Sequence, residues 1–269
     1  MDTIGFIGAG NMAEALIKGI ISAKLYTPEN VFVSDIRAER LKLLAEQYGV
    51  IACEENGELA GKVQTVVLSI KPQKMSDALE SIKDAISNEQ LVISIAAGIK
   101  VANITAVLGD IAIVRVMPNT PALIGEGAGA LFGNELARPM LNKAVEILSA
   151  VGKAVIVDDE DLIDAVTAVS GSGPAYYFLL MEEMIRAGIR LGLSEEVAKD
   201  LVLQTAKGAG QLAVEADKNG ESPEVLRQKV TSPGGTTEAA LKVFKEGKIS
   251  ELVSAAISRA YERSRELSE

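Results

Sequence analysis

Thr3-Ile-Gly-Phe-Ile-Gly-Ala-Gly-Asn-Met-Ala-Glu-Ala-Leu16 reads as a short apolar strand, a glycine turn, then a helix with apolar residues at helical spacing. The turn carries the pattern G-x-G-x-x-A at Gly8, Gly10 and Ala13. Gly8 permits a tight turn, Gly10 lets backbone approach a pyrophosphate, and Ala13 is small enough for the helix to lie close on the strand. Asn11 and Met12 fill the first helical turn of the same seat. A structural turn without a ligand is the competing reading. The strand before, the helix after and the place at the start of the chain favour a dinucleotide.

The next apolar run, Val31-Phe-Val-Ser34, ends at Asp35, where an acidic residue usually holds the adenosine ribose hydroxyls. Asp35 argues for NADH. Arg37 and Arg40 follow closely, and an arginine there accepts a 2′-phosphate, so NADPH and NADH both stay open; a solvated helix face is the plainer reading for either arginine. Further strands are predicted near 64–70, 91–95, 111–117, 127–132 and 153–157, most separated by helices, which is the pattern of a Rossmann-like doubly wound α/β sheet. Three strand ends carry turns: Leu68-Ser-Ile-Lys-Pro-Gln73, Ser94-Ile-Ala-Ala-Gly98 and Val114-Arg-Val-Met-Pro-Asn-Thr-Pro-Ala122. Ligands lie beyond the carboxyl ends of strands in such sheets, so Ile70, Lys71, Pro72, Ala96, Ala97, Gly98, Met117 and Asn119 are candidates to line the nicotinamide half. Ordinary turn chemistry at Pro72 and Gly98 is the alternative.

After Asp158-Asp-Glu-Asp161 the strands stop and the pattern is helical to the end. This predicts a dinucleotide-binding domain over 1–158 and an all-α domain over 159–269. Helices are expected over roughly 160–191, 195–216, 223–230, 236–246 and 249–266, the first kinked or restarted at Ser170-Gly-Ser-Gly-Pro174. Apolar helices such as 175–189 and 252–260 have little to bury against in one chain, which predicts dimerisation through this half.

The formal charge of −10 over 269 residues disfavours nucleic acid and anionic membrane surfaces as partners. No apolar run is long enough to span a bilayer, and a cytoplasmic protein is expected. The lone cysteine, Cys53, forbids an internal disulfide. The absence of histidine removes the usual general base and the commonest metal ligand. It excludes a Ser-His-Asp hydrolase, a histidine-ligated zinc enzyme and any dehydrogenase that relies on a histidine acid, and no metal is expected.

Val230-Thr-Ser-Pro-Gly-Gly-Thr-Thr-Glu-Ala-Ala-Leu241 sets glycines and hydroxyls at the mouth of a helix. Such an end is a seat for a small anion, with the N–H groups of Gly235, Thr236 and Thr237 as its expected donors. A helix capped by Ser or Thr is the plainer alternative.

Taken together, Gly5–Ala13, Ile70–Gln73, Arg115–Pro121, Val169–Tyr176 and Val230–Thr237 make the chain resemble the pyrroline-5-carboxylate reductases over essentially its full length. The first motif is common to many dehydrogenases, whereas the last is nearly specific to this family. The resemblance implies NADPH- or NADH-dependent reduction of L-1-pyrroline-5-carboxylate to L-proline. It implies a substrate carboxylate on Ser232, Gly234, Gly235 and Thr236, with Thr237 toward the ring nitrogen as the catalytic residue, and a nicotinamide against Ala96, Ala97, Met117 and Asn119. It further implies a homodimer interlocked through the helical domain, in many members a ring of dimers. Many members carry Ser or Asn with Arg after the second strand and prefer NADPH, so Asp35 is a departure. Some place an acidic residue near the substrate nitrogen, for which Glu221 and Glu224 are the nearest candidates. Competing readings are a 3-hydroxyacid dehydrogenase using Lys199, Lys207 or Lys229, and a nucleotide sensor without turnover.

Overall fold

The computed structural model describes residues 2–268. Its strands are β1 (Ile4–Ile7), β2 (Val31–Ser34), β3 (Ile51–Cys53), β4 (Thr65–Leu68), β5 (Leu91–Ser94), β6 (Ala112–Met117), β7 (Gly127–Gly133) and β8 (Gly152–Ile156). They form one sheet in the order β3-β2-β1-β4-β5-β6-β7-β8. The first six run parallel, β7 turns antiparallel to β6, and β8 runs parallel to β7. That is the dinucleotide-binding strand order with a two-strand extension.

Helices α1 (Asn11–Ser22), α2 (Ala38–Tyr48), α3 (Asn56–Ala60), α4 (Met75–Ile82), α5 (Val101–Leu108) and α6 (Leu141–Ser149) accompany the sheet. Every residue of β1, β4 and β5 is buried, as expected of parallel strands covered on both faces. Two apolar layers result. Phe6, Leu16, Ile17, Val33 and Leu44 belong to one, and Ile7, Leu59, Val66, Leu79 and Ile104 to the other.

Beyond the sheet run α7 (Leu162–Val166), a π-helical turn (Thr167–Gly171), α8 (Gly173–Arg190), α9 (Glu195–Asp217), α10 (Pro223–Lys229), α11 (Thr236–Glu246) and α12 (Ile249–Ser268). The chain divides into two compact units, residues 1–174 with 259–269, and residues 175–258. This division differs from the composition change at 158. α7 and the π turn pack on the sheet, and Ser264 near the end of α12 donates to Asp164 on α7 at 2.6 Å. Within the second unit, Tyr177, Phe178, Leu179 and Leu201 are all exposed, and neither α10 nor α11 has a buried residue. No helix among the described residues is long and apolar enough to cross a membrane.

Candidate active site

β1 stops where Gly8, at φ +96°, donates its N–H to Ser34 O at 2.8 Å. A side chain is excluded there, since a Cβ would stand 2.4 Å from Ser69 O. Ala9 N–H donates to Asp35 Oδ2 at 2.7 Å, which fixes the turn against the end of β2. Gly10 is the N-cap of α1, and no side chain caps that end. Glu14 is the first residue to bond back, to Gly10 O at 3.0 Å. The N–H groups of Asn11, Met12 and Ala13 therefore take no protein acceptor among the described residues. A Cβ on Gly10 would meet nothing within 4 Å, so the space above the turn is open. Open space, unclaimed N–H groups and a helix start fit a dinucleotide pyrophosphate.

At the adenosine side, Asp35 accepts from Ala9 N, from Arg37 N at 2.9 Å, and from the Arg37 guanidinium at 2.9 Å through each of two nitrogens. Burial pushes this carboxyl up, but the Arg37 hydrogen bond and the two backbone N–H groups outweigh burial and hold it at about 2. The charge of Arg37 is thus already occupied by Asp35. Arg40 is placed otherwise. Its Nε donates to Ala9 O at 2.7 Å and its Nη2 to Glu14, whose other oxygen accepts from Tyr48, so it braces the turn and is neither a solvated residue nor a free phosphate clamp. Ser34 also turns away. Its buried hydroxyl donates to Asn56 Oδ1 at 2.8 Å, and only its backbone carbonyl serves the turn.

The nicotinamide candidates converge. β1, β4, β5 and β6 are adjacent and parallel, so Gly8–Gly10, Ile70–Pro72, Ala96–Gly98 and Met117–Asn119 all lie at one edge of the sheet. Ile70 Cγ2 lies 2.7 Å from where a Gly8 Cβ would stand, Lys71 is exposed, and Pro72 opens a short 3-10 turn. Ala96 is buried and Ala97 exposed. Asn119 is largely committed to the protein. Its Nδ2 donates to Ser170 O at 3.0 Å and its Oδ1 accepts from Ala128 N at 2.9 Å. A Cβ on Gly171 would come within 2.7 Å of Met117 Cε. The break read in the sequence at Ser170–Pro174 is a restart: a π turn over Thr167–Gly171 packs on the Met117 side of this edge, and α8 begins at Gly173.

The anion seat lies on the second unit. Ser232-Pro-Gly-Gly235 is a tight turn closed by Gly235 N–H on Ser232 O at 3.0 Å, with Gly234 at φ +71°. Proline followed by glycine at positive φ is the chemistry such a turn requires. Gly235 is the N-cap of α11, and no Ser or Thr side chain caps it. The expected donors are revised accordingly. Gly235 N–H is spent on the turn, and Gly234 N–H is spent on Glu238 Oε2 at 2.7 Å. Thr236 and Thr237 N–H have no protein acceptor among the described residues, since Ala239 makes the first bond back to Gly235 O. Glu221 and Glu224 are each paired with a nearby cation: Glu221 accepts from Lys229 at 2.6 Å and Glu224 lies 3.6 Å from Arg227.

Residues 160–267 match the model of the pyrroline-5-carboxylate reductase dimerisation domain, and residues 3–98 match that of coenzyme F420-dependent NADP oxidoreductases. The pyrroline-5-carboxylate reductase of Pseudomonas aeruginosa is 47% identical over 268 residues, 99% of this chain and 97% of that one. The chain belongs to the pyrroline-5-carboxylate reductase family. Among solved reductases of this family, that of Coxiella burnetii superposes with a TM-score of 0.94 at 41% identity, covering 100% of this chain and 99% of that one. The enzyme from Plasmodium falciparum, solved with NADP bound, gives 0.86 at 31% identity, covering 100% and 98%.

Two residues beside these turns escaped the sequence reading. Ile36, directly after Asp35, is 98% exposed, an apolar side chain standing free in solvent at the end of β2. No periodicity marks it, because it lies in the loop between β2 and α2. Glu238 is the carboxylate at the Ser232–Gly235 turn, accepting from Gly234 N–H. A glutamate three residues after an N-cap is a capping pattern, so its signal was present in Gly235-Thr-Thr-Glu238.

Proposed function

We propose that the protein reduces L-1-pyrroline-5-carboxylate to L-proline with NADPH or NADH. The observation that carries this reading is the uncapped start of α11, whose Thr236 and Thr237 N–H groups are free for a carboxylate, in a chain whose first unit holds a complete dinucleotide turn. When bound at that turn, the reduced nicotinamide supplies a hydride.

Gly10 and the first N–H groups of α1 hold the pyrophosphate, and the strand-end turns of β4, β5 and β6 line the nicotinamide. Thr236 and Thr237 N–H receive the substrate carboxylate at the positive end of the α11 dipole. This leaves the Thr237 hydroxyl to accept a hydrogen bond from the protonated ring nitrogen. Orientation is its main contribution, since an alcohol is a very weak acid. The protonated C=N carbon is already electrophilic. Hydride addition there moves the π pair onto nitrogen, which keeps its proton and becomes the secondary amine, so a chain without histidine loses nothing.

The buried thiol of Cys53, pushed up by burial, supports a structural cysteine, and a cytosolic setting is part of the same reading. The exposed apolar helices of the second unit support a homodimer, and a ring of dimers extends the same reading. The test is loss of reduced-nicotinamide absorbance with NADPH or NADH and pyrroline-5-carboxylate, beside a panel of keto acids. Oxidation with the imine alone is expected. Oxidation with a keto acid alone, or none, would overturn the assignment.

A further inference from the structure

Arg115 is 2% exposed, on the interior strand β6, and none of the steps above uses it. Its Nη1 donates to Glu160 Oε1 at 3.0 Å, and its Nη2 lies 3.9 Å from Asp164 Oδ1. Both carboxylates continue outward. Glu160 Oε1 also accepts the N–H of Val101 at 2.8 Å, the first residue of α5. Asp164 Oδ1 accepts the hydroxyl of Ser264 at 2.6 Å and that of Ser268 at 3.4 Å, both on the last turns of α12. Those turns lie against the loop between β5 and α5, where a Cβ on Gly98 would come within 2.7 Å of Leu267 O. One buried cation thus gathers the start of α5, the start of α7 and the end of α12 around the Ala96–Val101 loop. An unpaired charge is far costlier to bury than a paired and hydrogen-bonded one, so this geometry is held tightly.

We propose that Glu160, locked by the buried Arg115, is a positioning residue for the nicotinamide: it pins the Ala96–Val101 loop at Val101 N–H while the end of α12 packs against that loop at Gly98. The inference rests on the reading in which Ala96–Gly98 line the nicotinamide. It adds that the ring's placement is set by residues that never touch the cofactor, and that the C-terminal turns of α12 are part of that setting.

The experiment measures dissociation constants by calorimetry for NADPH beside 2′-phospho-ADP-ribose, and for NADH beside ADP-ribose. Each second ligand lacks only the nicotinamide. Glu160→Ala is expected to weaken the whole dinucleotides about tenfold, the size of one charge-assisted hydrogen bond, while the truncated ligands change less than about twofold. Glu160→Gln keeps an acceptor oxygen and is expected to recover most of the loss. Ser264→Ala leaves the Arg115–Glu160 pair intact and removes only a hydroxyl from Asp164; it covers the case in which Glu160→Ala does not fold, with a selective loss of about threefold expected. Glu135→Ala, which breaks only the exposed ion pair with Arg138 outside this network, is the control. Equal weakening of whole and truncated ligands, or no weakening, overturns the positioning role. A wild-type protein that binds whole and truncated ligands equally would overturn the reading of the loop itself, and the positioning role with it.

Discussion

Gly8 and Gly10 stand two residues apart in one motif, yet the structure assigns them separate duties that substitution by alanine separates. In Gly8→Ala the new Cβ meets Ser69 O at 2.4 Å and Ile70 Cγ2 at 2.7 Å, on a backbone at φ +96°. The dihedral costs roughly 1–3 kcal/mol, and displacing the β4 end costs a further 1–3 kcal/mol or so, giving a loss of about 2–6 kcal/mol. In Gly10→Ala the Cβ meets nothing within 4 Å, on a backbone at φ −70° and ψ 178° that alanine adopts freely. Stability is expected to stay within about 1 kcal/mol, because the lower chain entropy of alanine offsets its weaker capping. The methyl instead fills the space through which a pyrophosphate reaches the α1 N–H groups. Losing two charge-assisted hydrogen bonds at roughly 1.5–3 kcal/mol each raises the dissociation constant for NADPH and NADH at least about a hundredfold. Urea midpoints report the first effect and calorimetric titration the second. If Gly10→Ala binds the nucleotide as the wild type does, the pyrophosphate does not lie over this turn and the cofactor assignment fails.

Thr237→Ala is expected to lower kcat/KM for the imine about ten- to a hundredfold, the worth of a hydrogen bond to a charged group, with cofactor affinity unchanged and Thr237→Ser restoring most of the loss; steady-state kinetics beside nucleotide titration check it. Asp35→Asn keeps an acceptor for Ala9 N–H but frees the Arg37 charge, so the ratio of NADPH to NADH efficiency should rise about tenfold or more, and a fixed ratio would remove Asp35 from the ribose. Asp35 also implies an acid limb. Its carboxyl lies at about 2 in the fold against 3.8 ordinarily, a lowered value, so the stability it contributes is complete above about pH 4 and drains as the pH falls toward 2. Urea midpoints from pH 5 down to 2.5 should fall less steeply in Asp35→Asn.

How much of this was legible in the sequence follows from the range over which each feature is encoded. Parallel strands buried on both faces, such as β1, β4 and β5, read as short apolar runs, and seven of the eight strands among the described residues coincide with apolar runs in the sequence. β3 was not, because Ile51-Ala52-Cys53 is three residues long, with the first two exposed, at the sheet margin where no burial pattern marks it. Turn chemistry was equally local, and Gly8, Gly10, Pro233 and Gly234 each stand where residue type alone places them. The helical half was legible as helices but not as a packed body. Its apolar side chains are exposed in one chain, so whatever covers them is outside the pattern of any single helix.

Positioning behaves differently from chemistry. Arg40 looked like a solvated residue or a phosphate clamp until its partner proved to be Ala9 O, 31 residues away. Arg115 and Glu160 are 45 residues apart, and Asp164 and Ser264 are 100 apart. No spacing rule joins such pairs, since each is created only when the sheet and the last turns of α12 have folded together. The residues that touch a ligand lie in compact motifs because a turn or a helix start already gathers its N–H groups. The groups that hold those motifs in place come from wherever the fold brings a charge to the buried end of a strand. Substitutions at Glu160, which lies outside every such motif, should therefore pass unnoticed in a motif search while changing the placement of the cofactor.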